Sequence, residues 1–303
     1  MKKLLVLSLA LGLTAGVLSG CGSNASTESE APAQQSEVST EQSEAPAEQS
    51  EAATEESKAE GGVIKVAASS TPHAIILAQV KDALAAEGWD LQVTEFDDYV
   101  QPNNVVESGE FDANYFQHQP YLDDFNKEHG THLVTAAKLH YEPFGIYPGV
   151  SKDLNNIADG AEIAVPNDTT NEARALLLLQ DNGIITLNEG VGLMATVKDI
   201  KDNPHNVKIV ELEAAQVSRV LGEADFVVLN GNYAMEAGLS VGKDALAAEA
   251  DDSEAAKTYA NILVVKEGNE NNAGIQALVK ALSTDEVREF MNQEFDGAVV
   301  PLF

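Results

Sequence analysis

The chain has 303 residues, of which 44% are apolar and 6% aromatic, a composition typical of a globular protein rather than a disordered one. It carries 18 Lys and Arg against 49 Asp and Glu, a formal net charge of −31 at pH 7. Such a charge repels phosphate backbones, so nucleic acid is excluded as a partner; a solvated, aggregation-resistant surface is the simplest reason for it. The single cysteine, Cys21, excludes a disulfide framework, a cysteine-based zinc cluster and a dithiol redox site.

Residues 1–20 are predicted to be a lipoprotein signal peptide. Lys2 and Lys3 precede an apolar run over residues 4–18, an order typical of a secretory signal that is too short to be a spanning helix. The run ends in Leu-Ser-Gly-Cys21, which resembles a lipobox, so Cys21 is predicted to be lipidated after cleavage. The alternative is a stray cysteine within a signal peptide.

The segment after the cysteine, residues 22–62, consists almost entirely of Ser, Glu, Ala, Gln, Thr, Pro and Gly, with ten Glu and one Lys. Without aromatic residues it cannot bury enough apolar surface to offset the entropy of ordering. We therefore predict that residues 21–62 are the lipidated cysteine and a disordered acidic linker. Its root-mean-square reach of roughly 35 Å lets the folded part stand off a membrane.

Strands and helices alternate in residues 63–303. The spacing of apolar residues predicts strands over 63–68, 91–96, 163–165, 207–212, 226–229 and 262–266. Helices are predicted over 72–87, 120–129, 170–182, 214–222 and 273–294. This alternation indicates parallel sheets, and for a body of this size two α/β lobes with a cleft between them are favoured over one large sheet.

One cluster of side chains is poorly explained by packing alone. It runs from Asn114 to Tyr121 and places Phe116 and His118 on one face if the segment is extended. Since Pro120 is typical of the first turn of a helix, Phe116, His118 and Tyr121 can converge on one wall of a pocket. The alternative is that Phe116 and Tyr121 belong to the core and that His118 is a hydrogen-bonded residue at its rim.

A second cluster, residues 166–174, directly follows a predicted strand. Thr169 and Glu172 fit a capping box, which predicts that a helix begins directly after Thr169. Arg174 then lies in the first turn, where a cation opposes the helix dipole unless an anion sits against both. Asn171 and Arg174 share a face and can present an amide and a guanidinium fork to a carboxylate. The alternative is an exposed arginine whose stem covers the leucines that follow it.

Motifs of enzymes are absent from the sequence, which has no phosphate-binding loop, no Gly-x-Ser-x-Gly and no His-Glu-x-x-His. We therefore expect no enzymatic activity and no cofactor. Four of the six histidines lie between His118 and His140, and His129 and His132 have the spacing of two metal ligands. Because no third ligand has a telling spacing, a solvated helix end is favoured over a metal site.

Seven motifs occur in order along residues 63–303. They are Thr71-Pro-His-Ala74, Tyr99-x-x-Pro-Asn103, Asp112-Ala-Asn-x-Phe-Gln-His118 with Pro120-Tyr121, Glu142-Pro-Phe-Gly-Ile-Tyr147, Val165-Pro-Asn-Asp-x-x-Asn-x-x-Arg174, Asn230-Gly-Asn-Tyr-Ala234 and Gly297-Ala-Val-Val-Pro301. Together they resemble the methionine-binding lipoprotein (MetQ/NlpA) family, the extracytoplasmic receptors of methionine ABC importers. The sequence departs from the family at Ile75, where an acidic residue is common, and at Pro148-Gly-Val, where a basic turn is usual.

The resemblance implies an α/β fold of the two-lobed periplasmic-binding-protein (type II-like) kind, with a ligand cleft between the lobes. Lobe 1 then comprises residues 63–147 and 248–303, and lobe 2 comprises residues 148–247. It also implies that Arg174 grips the α-carboxylate of an amino acid while Asn171 and Asn230 hold its polar end. The residues expected to enclose the side chain of the ligand are Tyr99, Phe116, His118 and Tyr121. Asn114 completes the predicted ligand-binding set.

The function expected from the resemblance is that of a monomeric, extracytoplasmic receptor, anchored to a bacterial membrane through the lipid on Cys21. It binds L-methionine, D-methionine or a methionyl dipeptide and delivers it to the permease and ATPase subunits of an ABC importer. An aromatic box suits a thioether, because sulfur makes favourable contacts with ring edges. Two alternatives are a zinc-binding surface lipoprotein that uses the histidines from His118 to His140, and an adhesin-like surface antigen with a vestigial cleft.

Overall fold

The computed structural model describes residues 61–250 and 257–303. The predicted signal peptide, Cys21 and residues 22–60 of the predicted linker lie outside the described residues. Within the two described ranges, no helix combines the length and the apolar character needed to cross a membrane.

The secondary structure is numbered in chain order over the described residues. The strands are β1 Val63–Ala68, β2 Asp90–Glu95, β3 Ala113–His118, β4 Leu133–Tyr141, β5 Gly145–Pro148, β6 Glu162–Pro166, β7 Thr186–Leu187, β8 Ile200–Asp202, β9 Lys208–Leu212, β10 Phe226–Leu229, β11 Ala247–Ala248, β12 Asn261–Lys266 and β13 Val300–Pro301. The α-helices are α1 Ile75–Gln79, α2 Lys81–Ala86, α3 Gln101–Glu107, α4 Gln119–His129, α5 Thr169–Asp181, α6 Ala214–Val217, α7 Gly231–Glu236, α8 Val241–Asp244, α9 Ala273–Leu282 and α10 Asp285–Glu294. A π turn lies at Ser70–Ala74, and 3₁₀ turns lie at Leu154–Asn156, Gly192–Met194, Val197–Asp199 and Ser218–Val220.

The predicted strands are present with small shifts at their ends, but three helices were predicted wrongly. The expected helix over 214–222 is α6 followed by the 3₁₀ turn at Ser218–Val220. The expected helix over 72–87 is instead the π turn followed by α1 and α2, which meet at Val80. The expected helix over 273–294 is α9 and α10, because Ser283 leaves the helical conformation and the side chain of Thr284 caps a new helix at the Val287 N–H. Strands β4 and β5 and helix α3 are elements that the apolar spacing did not predict.

The described strands form two large mixed sheets and one short pair. The six-stranded sheet has the order β13-β4-β12-β3-β1-β2, and the five-stranded sheet has the order β11-β5-β10-β6-β9. Strand β12 runs antiparallel to β3 and β4, and β5 runs antiparallel to β10. The expectation of parallel sheets is therefore wrong in part. Only three residues join β4 in the first sheet to β5 in the second, so the chain passes from one sheet to the other there.

Helices cover both faces of each sheet, which explains why the central strands are apolar without alternation. In β12, Leu263 and Val265 pack into the core on one face, whereas Ile262 and Val264 pack beneath α3 and α4 on the other. Each of these four side chains is fully buried and contributes about 1.5–3 kcal/mol relative to an exposed position. The predicted α/β fold class is confirmed.

The chain leaves the first sheet after Tyr141, enters the second at Gly145 and re-enters the first at Asn261. Strand β5 begins before the predicted lobe boundary at 147/148, and β11 spans the boundary at 247/248. The exact division into lobes stays a prediction.

Candidate functional site

The strand ends of the two sheets define where a site can form. At one edge of the first sheet, Asn261 at the start of β12 pairs with His118 on one side and His140 on the other. In the second sheet, Gly145 at the start of β5 pairs with Leu229 and Ala248. Ligands of α/β proteins bind beyond the carboxyl ends of parallel strands. The ends of β1, β3, β6 and β10 lie at these edges, so a ligand site is expected there.

A cavity lies at these edges, and its empty space of about 340 Å³ includes solvent at its mouth. Elements of both sheets line it. The lining residues are Tyr99, Phe116, Gln117, His118, Tyr121, Glu142, Asn171, Arg174, Asn230, Gly231, Asn232 and Asn261. Seven of the eight ligand-binding residues predicted from the sequence are therefore brought together, and their role toward a ligand stays a prediction.

The eighth, Asn114, is buried but does not line the cavity. It lies further from the sheet edge than Phe116 and His118, at a position that α3 covers. Its amide donates to the carbonyl of Pro102 (3.2 Å) and to the side chain of Asn103 (2.9 Å). Asn114 therefore supports the wall of the cavity from behind.

One wall of the cavity is aromatic. The ring centroid of Tyr99 lies 5.6 Å from that of Phe116, 5.8 Å from that of Tyr121 and 5.0 Å from that of Tyr233. The hydroxyl of Tyr99 donates to the side-chain oxygen of Asn232 (2.5 Å), and the hydroxyl of Tyr121 donates to the carbonyl of Tyr99 (3.0 Å). Because the hydroxyls are used within the wall, the rings present apolar faces and edges to the cavity.

Helix α5 starts differently from its prediction. The side chain of Asp168, rather than that of Thr169, caps the helix by accepting from the backbone N–H of Asn171 (3.0 Å). The predicted capping box is wrong because the carboxylate of Glu172 accepts from the backbone N–H of Val197 (3.0 Å) instead. The helix nevertheless presents Asn171 and Arg174 on one face, as predicted, and both side chains are buried at the cavity.

A chain of hydrogen bonds fixes the amides beside the aromatic wall. The backbone N–H of Tyr121 donates to Nδ1 of His118 (3.2 Å), so the ring proton lies on Nε2 and is donated to Oδ1 of Asn171 (3.1 Å). Asn230 also donates to that oxygen (2.9 Å). Burial, with a smaller contribution from Arg174, lowers the pKa of His118 to about 3, so the ring is neutral at pH 7.

Arg174 is held by an internal carboxylate. Its Nε and Nη2 donate to the two oxygens of Glu249 at 2.9 and 2.6 Å, and Nη2 also donates to the carbonyl of Glu142 (3.0 Å). The guanidinium carbon lies 4.2 Å from the ring centroid of Tyr259 and 4.7 Å from that of Phe144. The guanidinium fork that was predicted to bind a ligand carboxylate thus binds Glu249. These hydrogen bonds use Nε and Nη2 of Arg174 and do not involve Nη1.

The ion pair keeps both partners charged despite burial. Burial alone would lower the pKa of Arg174, but the charge and hydrogen bonds of Glu249 outweigh it and raise that pKa. Burial alone would raise the pKa of Glu249, but Arg174 outweighs it and the pKa is lowered. The hydroxyl of Tyr141 (2.6 Å) and the backbone N–H of Phe144 (3.0 Å) also donate to Glu249.

A buried cluster lies behind Glu142. Nε2 of His140 is 2.7 Å from Oε1 of Glu142, and its Nδ1 bonds to the hydroxyl of Tyr115. Nε2 of His73 lies 3.0 Å from Oδ1 of Asn261 and 3.4 Å from the same Oε1 of Glu142. Burial lowers the pKa of His73 to about 4 and that of His140 to about 3. Both rings are therefore neutral at pH 7.

The histidines proposed for the zinc alternative do not converge. His129 stacks on Phe125, whereas His132 is exposed and lies beside Glu107. Among the described residues, the ligand atoms that come within 4.8 Å of one another belong to His73, His140 and Glu142. Of the predicted set, only His140 belongs to that group. Its place there depends on the pairing of β4 with β12, which sequence spacing does not predict.

Two buried polar atoms at the cavity have no hydrogen-bond partner among the described residues. They are Oδ1 of Asn230, an acceptor, and Nδ2 of Asn232, a donor. Buried polar atoms are rarely left unpaired, and each such atom calls for an explanation. A ligand that carries both a donor and an acceptor supplies one.

Sequence reasoning missed several residues of the site. Glu142 and Asn232 stand within motifs that carry the family resemblance, so their positions could have been flagged. Gly231, between the two asparagines, is required by close packing: a Cβ there would lie 2.6 Å from Cβ and 2.7 Å from Oε2 of Glu142. Glu249 had no local signal, because it reaches Arg174 across 75 residues of sequence.

The chain was compared with known families and structures. Residues 64–303 match the NlpA lipoprotein family. A solved structure from Ruminococcus gnavus is 70% identical, with a TM-score of 0.79, covering 80% of this chain and 99% of that one. A nutrient binding protein from Burkholderia cenocepacia, solved bound to methionine, is 43% identical, with a TM-score of 0.75, covering 79% and 100%. The D-methionine-binding lipoprotein MetQ of Salmonella typhimurium is 42% identical over 228 residues, 74% of this chain and 83% of that protein.

Two mixed sheets with an enclosed polar and aromatic cavity at their strand ends define a substrate-binding protein of the periplasmic-binding-protein type. The close structural matches support this class. The chain belongs to the NlpA lipoprotein family. The resemblance predicted from the seven motifs is therefore confirmed.

Proposed function

We propose that this protein binds methionine in the cavity and delivers it to an ABC importer. The observation that carries the proposal is that the cavity offers both hydrogen-bond acceptors and hydrogen-bond donors beside an aromatic wall. Glu142 and Oδ1 of Asn230 can accept hydrogen bonds from an ammonium group. Nδ2 of Asn232 and Nη1 of Arg174 can donate to a carboxylate. A free amino acid carries both groups on one carbon atom.

The remainder of the cavity suits a thioether side chain. The rings of Tyr99, Phe116 and Tyr121 lie within about 6 Å of one another and offer edges as well as faces. A sulfur atom against an aromatic ring contributes about 0.3–1.5 kcal/mol beyond the burial of apolar area. The methionine in the Burkholderia cenocepacia structure and the name of the Salmonella typhimurium relative support this ligand.

The proposal includes an extracytoplasmic location, because the family is one of lipoproteins. A lipid on Cys21 anchors the protein to a bacterial membrane, and the acidic segment that follows is the tether. The protein acts as a monomer without enzymatic activity and releases its ligand to the permease and ATPase subunits of the importer. A ligand that contacts residues of both sheets favours the closed arrangement by its differential affinity for it.

Calorimetry of the full-length protein in detergent tests the proposal. Native mass spectrometry first identifies any co-purified ligand, which is then removed by reversible unfolding. The protein is titrated with L-methionine, D-methionine and glycyl-methionine, and with L-norleucine as the matched control that replaces sulfur by a methylene group. We expect binding of at least one methionine ligand and weaker binding of norleucine.

Two results would overturn the proposal. One is the absence of binding heat with all three methionine ligands. The other is one-to-one binding of zinc to EDTA-treated protein together with no response to methionine, which would favour the metal-binding alternative. That alternative also requires binding to weaken below about pH 6.5 as the histidine ligands become protonated.

A further inference from the structure

The cluster behind Glu142 consists of polar groups that the ligand does not reach. His73, Tyr115 and His140 are each fully buried, and none of them lines the cavity. They lie in the π turn that follows β1, within β3 and near the end of β4. Buried polar groups are costly unless they are paired, so this cluster requires a reason beyond packing.

The hydrogen bonds of His140 determine the position of its proton. Nε2 faces a carboxylate oxygen of Glu142 at 2.7 Å, where a ring nitrogen without a proton would be repelled by an ionised carboxylate. The proton therefore lies on Nε2 when Glu142 is ionised, and Nδ1 accepts from the hydroxyl of Tyr115. The hydroxyl of Tyr115 is therefore a partner for Nδ1 in the tautomer of His140 that donates to Glu142.

His73 supports the same oxygen from a second direction. Its Nε2 faces two oxygens, Oδ1 of Asn261 at 3.0 Å and Oε1 of Glu142 at 3.4 Å, so its proton also lies on Nε2. The backbone N–H of Asn232 is a further donor to the carboxylate of Glu142. The side chain of Glu142 is therefore contacted by donors from His140, His73 and Asn232.

These donors oppose the effect of burial. The pKa of Glu142 is nevertheless raised, because burial outweighs His73, Arg174 and the N–H of Asn232, which act to lower it. A carboxyl group without donors at this depth would tend to be protonated and would lose its attraction for a cation. Donors that bind the charged form counteract that tendency and also restrict the rotamer of the side chain.

His73, His140 and Glu142 also bring three atoms that can coordinate a metal within 4.8 Å of one another. The hydrogen-bond pattern argues against a metal site. Both ring nitrogens that face Glu142 are at hydrogen-bonding positions, and Tyr115 occupies the other nitrogen of His140. Each of these contacts has a role without an ion.

We propose that His140, His73 and Tyr115 are positioning residues that direct the carboxyl group of Glu142 at the cavity by hydrogen bonds, so that the protein selects ligands with a free ammonium group. This inference rests on the proposed function, because it concerns how the amino group of that ligand is recognised. In this inference, residues outside the cavity contribute to ligand selectivity.

Binding of two ligands to a set of variants tests the inference. The ligands are L-methionine and its des-amino analogue 4-(methylsulfanyl)butanoate, which keeps the carboxylate and the thioether but lacks the ammonium. The variants are His140→Leu, His140→Gln and Tyr115→Phe, with His132→Leu as the matched control at an exposed histidine. Thermal melting of each ligand-free variant identifies any that fail to fold.

The expected readout is the ratio of the two affinities. His140→Leu should weaken L-methionine by about tenfold or more, because it removes a donor to a charged group, while changing the analogue by less than about threefold. His140→Gln keeps an amide N–H for Glu142 and should recover most of the ratio. Tyr115→Phe changes little volume and should reduce the ratio by about two- to tenfold. His132→Leu should leave both affinities unchanged.

Equal losses of affinity for the two ligands in His140→Leu and Tyr115→Phe would overturn the inference, because a merely structural role affects both ligands alike. Zinc binding that is abolished by His140→Leu would also overturn it. If the wild-type protein bound no methionine ligand, the proposed function would fail, and the inference with it. If the wild type bound L-methionine but the ratio did not move in any variant, the inference alone would fail.

Discussion

The buried ion pair between Arg174 and Glu249 predicts that Arg174 stabilises the fold as well as the ligand. The side chains of the two residues are only 4% and 9% exposed. Removing one partner of such a pair leaves an uncompensated buried charge, at a typical cost of about 3–5 kcal/mol. In Arg174→Met, Glu249 keeps the hydroxyl of Tyr141 and the N–H of Phe144 as donors. We therefore expect the free energy of unfolding to fall by about 3 kcal/mol, at the lower end of that range.

A double variant separates the lost charge balance from lost packing. In Arg174→Met with Glu249→Gln, both charges are gone, and the glutamine oxygen still accepts from Tyr141 and Phe144. Replacing a whole buried pair by neutral residues of similar volume is often close to neutral. The double variant should therefore be more stable than Arg174→Met alone. It should still fail to bind methionine, because the guanidinium is absent.

Urea unfolding of the ligand-free, full-length proteins, followed by circular dichroism, measures these effects. Arg219→Met is the matched control, since Arg219 is exposed and its replacement should change stability by no more than about 0.5 kcal/mol. Calorimetry on the same proteins should show that Arg174→Met weakens methionine binding by about 2–5 kcal/mol. Arg174→Lys should restore only part of both quantities, because a single ammonium cannot reproduce two parallel hydrogen bonds.

Two outcomes would refute this reasoning. Arg174→Met could unfold at the same urea concentration as the wild type, which would show that the pair contributes nothing in solution. The double variant could be less stable than the single one, which would show that packing rather than charge balance is what Arg174 provides.

Three further predictions concern the lipid anchor on Cys21, the packing of Gly231 against Glu142 and the pH dependence of stability. Cys21→Ser should release a folded protein from membranes, as measured by fractionation after a high-salt wash. Gly231→Ala should weaken methionine binding in calorimetry, because its Cβ would displace Glu142, whereas Gly222→Ala has open space around it and should not. Burial lowers the pKa of His118 from 6.5 to about 3, so the unfolded chain binds a proton that the folded protein does not. Stability is therefore lost as the pH falls below about 6.5, and His118→Gln should reduce that loss by up to about 1.4 kcal/mol per pH unit in urea titrations.

Each of these has an outcome that contradicts it. Cys21→Ser that still sediments with membranes would exclude the lipid anchor as the cause of attachment. Equal affinities for the two alanine variants would show that Glu142 adjusts to the extra methyl group. A slope of stability against pH that is unchanged in His118→Gln would show that His118 is protonated in the folded protein.

The parts of the site that could be predicted are those in which a short stretch of chain determines the geometry. The period of two along β3 placed Phe116 and His118 on one face, and Pro120 marked the helix that brings Tyr121 beside them. Helical spacing placed Asn171 and Arg174 together on α5. Strand ends and helix starts are local features, so residue spacing was sufficient for both groups.

The parts that could not be predicted depend on strand order. His73 and Glu142 meet because β1 and β4 lie in one sheet, with β3 and β12 between them, and apolar spacing gives no information on that order. The capping box failed for a similar reason. Asp168 and Thr169 are both residue types that can cap a helix, and in the structure Asp168 caps α5. Glu172 does not complete a capping box, because it accepts from the N–H of Val197, which is distant in the sequence.

The internal pairing of Arg174 changes how the cavity discriminates among ligands. With Glu249 neutralising Arg174, Glu142 adds one negative charge to the site when it is ionised. A ligand with a carboxylate and no cationic group would add a second, in a chain whose surface is already strongly acidic. A zwitterion adds no net charge, and its ammonium can balance Glu142 while its carboxylate meets Nη1 of Arg174 and the amide of Asn232. We therefore expect the protein to select free amino acids over their des-amino or N-acylated relatives because of where its own carboxylates lie.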